Sequence, residues 1–196
     1  MKVIKSLVST LGICVCSIIT ASAQKTVQIQ GSERLFIGKS IEYFVDSTQH
    51  LELRDVMGKT FTACQTEILN LGNTPYKIWM RVSLVSKKDK ELFLEINAPL
   101  LSKLEVYQIT GDSSKLLFNG GFLKPFHERP INAENWLFNL HLEAGTASTM
   151  YVMGQSIYPF QIPIVPVAQL RYSHYVNEAK DRIIFVVPML CKAKNI

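Results

Sequence analysis

The side chains with the widest chemical reach in this sequence are Trp79, Arg81, Glu95, His127, Arg129 and Trp136. In Ile78-Trp79-Met80-Arg81-Val82-Ser83-Leu84, alternation puts Trp79, Arg81 and Ser83 on one face and Ile78, Met80 and Val82 on the other. Phe93, Glu95 and Asn97 share the corresponding face of the next stretch. Were the two stretches neighbours, an aromatic ring would meet charged and amide groups on one surface. That is the chemistry of sugar recognition, in which a ring covers C–H faces and planar polar groups take up hydroxyls. The competing arrangement covers this face, making Trp79 core and Arg81 an ion-pair partner, and the burial habit of large aromatics favours it. The loop Phe122–Trp136 is the longest irregular segment and holds Lys124, His127, Arg129, Asn135 and Trp136. Arg129, between His127 and Pro130, could clamp an anionic or hydroxylated ligand, or could salt-bridge an acid and hold the loop. Both roles stay open.

Catalytic chemistry finds less support. His50, His127, His141 and His174 stand at no metal-ligand spacing with one another or with Cys64 or Cys191. His141 falls on the polar side of its stretch, where solvent is the expected neighbour. There is no nucleophile elbow, phosphate-cradling glycine loop or zincin pattern. Glycoside hydrolysis needs two carboxylates across a cleft, and nothing singles out a pair from Glu91, Glu95, Glu105 and Glu134. The expectation is a protein that is not an enzyme and takes no cofactor and no metal.

The elements that must position these residues are strands. Between Lys25 and Pro166 the dominant pattern has period two, as in Ile78–Leu84, Leu92–Asn97, Leu104–Tyr107, Phe138–Leu142, Met150–Met153 and Phe160–Ile162. Turn-formers separate them: Gly72-Asn73-Thr74-Pro75, Lys87-Lys88-Asp89-Lys90, Gly111-Asp112-Ser113-Ser114, Gly120-Gly121 and Glu143-Ala144-Gly145. Short strands with one apolar face each must bury those faces against a second sheet. The expected fold is all-β, a jelly-roll β-sandwich. One short helix is expected after Asp46-Ser47, near Leu51 to Met57 and stopped by Gly58.

Both ends differ from this middle. Lys2 and Lys5, the apolar run Leu7–Ile19 and Ala21-Ser22-Ala23 form the pattern of a signal peptide over residues 1–23. Ile13 before Cys14 and Val15 before Cys16 do not fit lipoprotein processing. Residues 24–166 form the expected sandwich. Residues 167–196 change texture, with a possible helix over Gln169–Arg182 and an apolar stretch Ile183–Cys191. That stretch would reach about 14 Å as helix against a hydrocarbon core of about 30 Å, so no membrane span of its own is expected. The whole chain of 196 residues carries a formal charge of +5, and loss of residues 1–23 removes two lysines and no acid, leaving +3. So small a charge on an exported chain argues against nucleic acid as a partner. Of the cysteines only Cys64 and Cys191 lie outside the leader; a buried thiol and a tail thiol are favoured over a disulfide.

The order of features from about Phe36 to Leu170 resembles one family, the type 2 extracellular domain of seven-transmembrane receptors with diverse intracellular signalling modules (7TMR-DISM). Ile41-Glu42-Tyr43-Phe44-Val45-Asp46 resembles its opening strand, followed by a short helix and Phe61. Ile78–Leu84 is similar to its aromatic-Trp-x-Arg strand, with Ile where an aromatic is usual. Leu92–Asn97, Pro99-Leu100-Leu101 and Leu104–Tyr107 resemble its next strands. Gly121, Pro125-Phe126, Arg129-Pro130 and Trp136-Leu137-Phe138 resemble its glycine-to-arginine loop and the following strand. Leu142, Gly145, Tyr151, Gln155-Ser156 and Pro163 fit the closing pattern. The resemblance implies a jelly-roll similar to carbohydrate-binding modules, outside the cytoplasmic membrane, receiving small molecules or carbohydrates for a bacterial receptor.

The expectation is therefore an extracytoplasmic ligand-binding sensor domain, periplasmic or extracellular, truncated before the membrane region. Its partners would be a small-molecule or carbohydrate ligand and a membrane receptor or signalling protein. The alternative is an exported structural or interaction module docking on a membrane partner through the C-terminal segment.

Overall fold

A computed structural model describes residues 25–30, 35–131 and 133–168. The chain runs through β1 (Thr26–Ile29), β2 (Glu42–Asp46), α1 (Leu53–Met57), β3 (Thr62–Ala63), β4 (Leu69–Gly72), β5 (Lys77–Ser86) and β6 (Lys90–Ile96). It continues through β7 (Lys103–Thr110), β8 (Ser113–Gly120), β9 (Trp136–Leu142), β10 (Ser148–Gln155), β11 (Phe160–Ile162) and β12 (Ile164–Ala168). The expected signal peptide and nearly all of the expected C-terminal helical segment lie outside the described residues. Within the described part β12 reaches Ala168, two residues beyond the boundary expected at Pro166.

The strands form an all-β sandwich. One layer has the order β3-β2-β5-β10-β7-β8, and β1 joins the edge of β5 in parallel beyond β2. The other has the order β12-β6-β9, with the β11–β4 pair beside it. Apart from β1 on β5, the paired strands are antiparallel. Pro166 lies inside β12, where a missing N–H is tolerable only toward an edge. Its carbonyl points to that edge and accepts the Leu35 N–H at 3.3 Å, so the absent donor faces away from β6. The β7–β8 hairpin turns on Gly111 and Asp112, and Gly111 takes φ 56°, the backbone that so short a loop demands.

Period-two patterning sets the core. Ile78, Met80, Val82 and Leu84 of β5 point inward with Leu104 and Val106 of β7 and Met150 and Val152 of β10. They pack with Leu92, Leu94 and Ile96 of β6 and Phe138, Leu140 and Leu142 of β9. Each such side chain contributes about 1.5–3 kcal/mol through burial, which is the main favourable term holding the layers together. Cys64 is buried beside this core, and its thiol donates to the Thr66 carbonyl at 3.3 Å. The short helix forms where expected. Glu52 and Asp55 close a capping box at its start, and Gly58 follows its last residue. Among the described residues no helix is long and apolar enough to cross a membrane.

Candidate ligand site at the loop end of the sandwich

The structure divides the sequence-predicted residues between opposite surfaces. Strands β5 and β6 are consecutive but lie in different layers, so they are not neighbours. Because Ile78, Met80 and Val82 face the same core as Leu92, Leu94 and Ile96, the outward residues of the two strands point in opposite directions. The expected joint surface of Trp79, Arg81 and Glu95 therefore does not form.

On the β5 side, Trp79 is 1% exposed and packs with Val56 of α1, Phe61, Tyr151 and Met153. Its ring stacks on Tyr107 with centroids 6.3 Å apart, and its buried Nε1 has no hydrogen-bond partner among the described residues. Arg81 donates from Nε to Glu42 Oε2 at 2.7 Å, and its guanidinium lies 4.3 Å from the Phe61 ring centroid. Tyr107 donates to Glu105 Oε2 at 2.7 Å. Burial, then this bond to a carboxylate, pushes the phenol well above its ordinary range.

On the β6 side, the loop between β8 and β9 folds over the sheet, with Ile131 and Ala133 packed on Phe93 and Leu137. Arg129 holds this loop. Its Nη1 donates to the carbonyls of Ala133 at 2.9 Å and Glu134 at 2.6 Å, and its guanidinium lies 4.2 Å from the Trp136 ring centroid. Burial pushes Arg129 below its ordinary value while Glu134 acts in the other direction. Glu95 is buried and accepts from Asn135 Nδ2 at 2.6 Å. Trp136 belongs to the core, beside Phe118, and donates from Nε1 to the Ala98 carbonyl at 3.0 Å. His127 is exposed, in a single 3-10 turn. His141 is also exposed and lies 2.6 Å from Glu91, as its place on a polar face predicts.

A different site opens where the strands end. A cleft of about 670 Å³ is lined by Gln49, Asn73, Thr74, Pro75, Ser102, Gln155, Ser156, Ile157 and Tyr158. That volume lies within the range of small-molecule pockets. These residues come from the β2–α1 loop, the β4–β5 turn, the approach to β7, and the end of β10 with the segment after it. No acidic or basic side chain is among them.

Local chemistry builds each wall. Asp46, at the end of β2 and with no exposed surface, accepts from the backbone N–H groups of Thr48, Gln49 and Leu51, each at 3.0 Å. The Thr48 hydroxyl donates to the same carboxylate at 2.6 Å. Burial alone would raise the pKa of Asp46, but these bonds outweigh it and hold the carboxyl below its ordinary value. The turn so fixed leaves Gln49 at φ 61°, a left-handed backbone uncommon outside glycine and asparagine. Gln155 bridges across, donating from Nε2 to Gln49 Oε1 and to the Pro75 carbonyl, both at 3.0 Å. The Gln155 carbonyl takes the N–H and hydroxyl of Ser102 at 2.8 and 2.9 Å. Ser156 Oγ accepts the Tyr158 N–H at 3.0 Å, leaving Ile157 73% and Tyr158 48% exposed at the rim.

Sequence reasoning missed this cleft. Gly72-Asn73-Thr74-Pro75 reads as a separator, Gln155-Ser156 as part of the family's closing pattern, and nothing singles out Gln49. The one local signal was Ile157 and Tyr158, an apolar-aromatic pair in a segment too short to bury it.

A two-layer β sandwich carrying an open, neutral cleft on its loops has the form of a ligand-receiving module. The sequence matches the model of the 7TMR-DISM extracellular 2 family over residues 38–166, and the chain belongs to that family. The match covers the sandwich from β2 into β12, so every wall of the cleft lies within it. None of the curated proteins matches the sequence. Membership makes the chain an extracellular sensor domain of a receptor, placed outside the cytoplasmic membrane.

Proposed function

We propose that this sensor domain serves a bacterial receptor, reaches the periplasm or cell exterior through its N-terminal signal peptide, and binds a small molecule or carbohydrate in the loop-end cleft. The observation that carries the proposal is the cleft itself, about 670 Å³ of amide, hydroxyl and aromatic lining on a rigid sandwich. Such loops are where scaffolds of this kind carry recognition. The lining offers groups that hold a ligand, with no carboxylate pair or imidazole to move protons, so the proposed role is binding and not catalysis.

The test is a thermal-shift screen of the purified protein against glycans and metabolites, followed by calorimetry. A saturable shift lost in Tyr158→Ala and in Gln155→Ala, with both variants folded, supports the proposal. A saturable shift that both substitutions leave intact would place the ligand elsewhere and refute it. So would a silent panel combined with capture of a membrane protein through residues 167–196.

A further inference from the structure

Large apolar side chains stand exposed unevenly over the domain. Five of the eleven among the described residues, Tyr76, Leu100, Leu123, Ile157 and Tyr158, lie at one end of the sandwich. Strand register fixes that end. Ile78 is opposite Gly154, Lys103 opposite Gln155, Leu104 opposite Gly120 and Ile96 opposite Trp136. The β4–β5 turn, the β6–β7 loop, the β8–β9 loop and the segment after β10 therefore open together. Hydrogen bonds lace these four segments. The Gln155 amide reaches the Pro75 carbonyl beside Tyr76, and the Ser102 N–H donates to the Gln155 carbonyl. The Phe122 N–H donates to the Leu101 carbonyl at 2.8 Å, which joins the loop of Leu123 to that of Leu100. Leu123 at 77% and Ile157 at 73% are the two most exposed of the eleven. Scattered apolar side chains need no partner, but a cluster on hydrogen-bonded loops marks a contact surface.

Two features of the same surface identify what it contacts. The first is charge. The exposed charged residues of these segments and the strand ends beside them are Lys103 and Lys124 against Glu128 and Glu134, two of each sign. Lys77 is half-buried, and Arg129 is spent on its own loop. Lys124 lies 4.0 Å from Glu128 of its own chain, an exposed pair worth little and free to be exchanged. An anionic membrane or a strongly acidic protein would meet both glutamates as like charges. A surface turned on a copy of itself can set each cation against an acid. The second feature is shape. A projection, Ile157, stands at the rim of a recess, the neutral cleft of about 670 Å³. A two-fold contact needs both on one patch, because what one copy inserts the other must receive. The lining carries no charge that an entering isoleucine would strip of water.

From these features we infer that the loop end is a self-association surface. Two copies meet there about a two-fold axis, each seating Ile157 in the other's cleft, with Tyr158, Leu123 and Leu100 around it and charges exchanged at the rim. The contact goes beyond ligand binding but uses the same opening, so each copy closes its partner's cleft. An end-to-end contact between loops is small, and the association it supports is weak and reversible.

The experiment is sedimentation equilibrium of the purified full chain, with reductant present, from about 10 μM to about 1 mM. The mass is expected to rise reversibly toward that of a dimer. Ile157→Asp and Leu123→Asp should each weaken the association about tenfold or more and keep the parental unfolding temperature, since both side chains are exposed. Leu116→Asp, at a leucine in the middle of β8 as exposed as Leu100, should leave it unchanged. A parent chain that stays monomeric throughout would overturn the inference. So would a dimer indifferent to Ile157→Asp, whose contact then lies elsewhere. A monomer that instead sediments with vesicles of phosphatidylglycerol and phosphatidylcholine in equal parts, and no longer does so in Leu123→Asp, would also overturn it and give the surface to a membrane. Because the readout needs no ligand, its failure leaves the proposed binding role standing.

Discussion

Replacing Asp46 with alanine tests how the cleft is built. The carboxylate has no exposed surface and takes four hydrogen bonds, from three backbone N–H groups and the Thr48 hydroxyl. Bonds to a charged acceptor contribute about 1.5–3 kcal/mol each, but bonds sharing one acceptor are not additive. The expected loss is about 3–5 kcal/mol, a large part of the total stability of a domain this size. Asp46→Asn separates charge from shape. An amide keeps one acceptor oxygen, and its NH2 must then face at least one backbone N–H, for an expected loss of about 2 kcal/mol. The carboxyl is held below its ordinary value of 3.8, so its contribution is complete above that value and is lost as pH falls through the folded-state pKa. The advantage of the parent over Asp46→Asn should therefore be full at pH 7 and narrow below about pH 4. Urea unfolding followed by the fluorescence of buried Trp79 and Trp136 reads both effects. A loss under about 1 kcal/mol for Asp46→Ala, or an Asn gap that does not narrow in acid, would refute the reasoning. Ligand binding should fail in the variant even where it remains folded. Once Gln49 is freed from the turn, its left-handed backbone, which costs about 1–2 kcal/mol, relaxes.

Two further outcomes are expected on the outer faces. Arg129→Ala removes the donor to the Ala133 and Glu134 carbonyls and the cation over Trp136, and should cost about 1.5–3 kcal/mol. Limited proteolysis should then cut between Phe122 and Asn135. Trp79→Ala should cost about 3–5 kcal/mol in urea unfolding, whereas Trp79→Phe should cost under about 1.5 kcal/mol, because the deleted Nε1 has no hydrogen-bond partner among the described residues.

Much of the fold was legible because burial here follows period two. Ile78, Met80, Val82 and Leu84 are all 1% exposed or less, and His141 on the other side of its strand faces water. The helix was legible because Gly58 stops it locally and because Leu53 and Val56 give it an apolar side. What alternation cannot say is which strand lies beside which. Consecutive β5 and β6 sit in opposite layers, while β5 pairs with β10, some seventy residues on (Arg81 with Tyr151). That one fact turns a supposed joint surface of Trp79 and Glu95 into two separate faces. Coverings are equally non-local. Phe61 lies under Arg81, and Ala133 lies on Phe93, and neither contact has any signature in the spacing of the residues concerned. The cleft was least legible, since its walls are residues chosen for turns, and only the assembled strand ends make them a site.

The coverings also bear on where a ligand could reach the domain. An aromatic and a cation on a strand face serve a ligand only if the ligand can reach them. Here α1 and Phe61 cover Trp79, Glu42 neutralises Arg81, and the β8–β9 loop covers Phe93. Those contacts stiffen the sandwich instead. At the loop end the balance differs, because Gln155 joins three separate segments through Gln49, Pro75 and Ser102 and stays partly exposed on the cleft wall. A group that is rigidly held lowers the ordering cost of binding, since its position is set before the ligand arrives. On the proposed reading, the same bridge that shapes the cleft is therefore what a ligand would meet already in place.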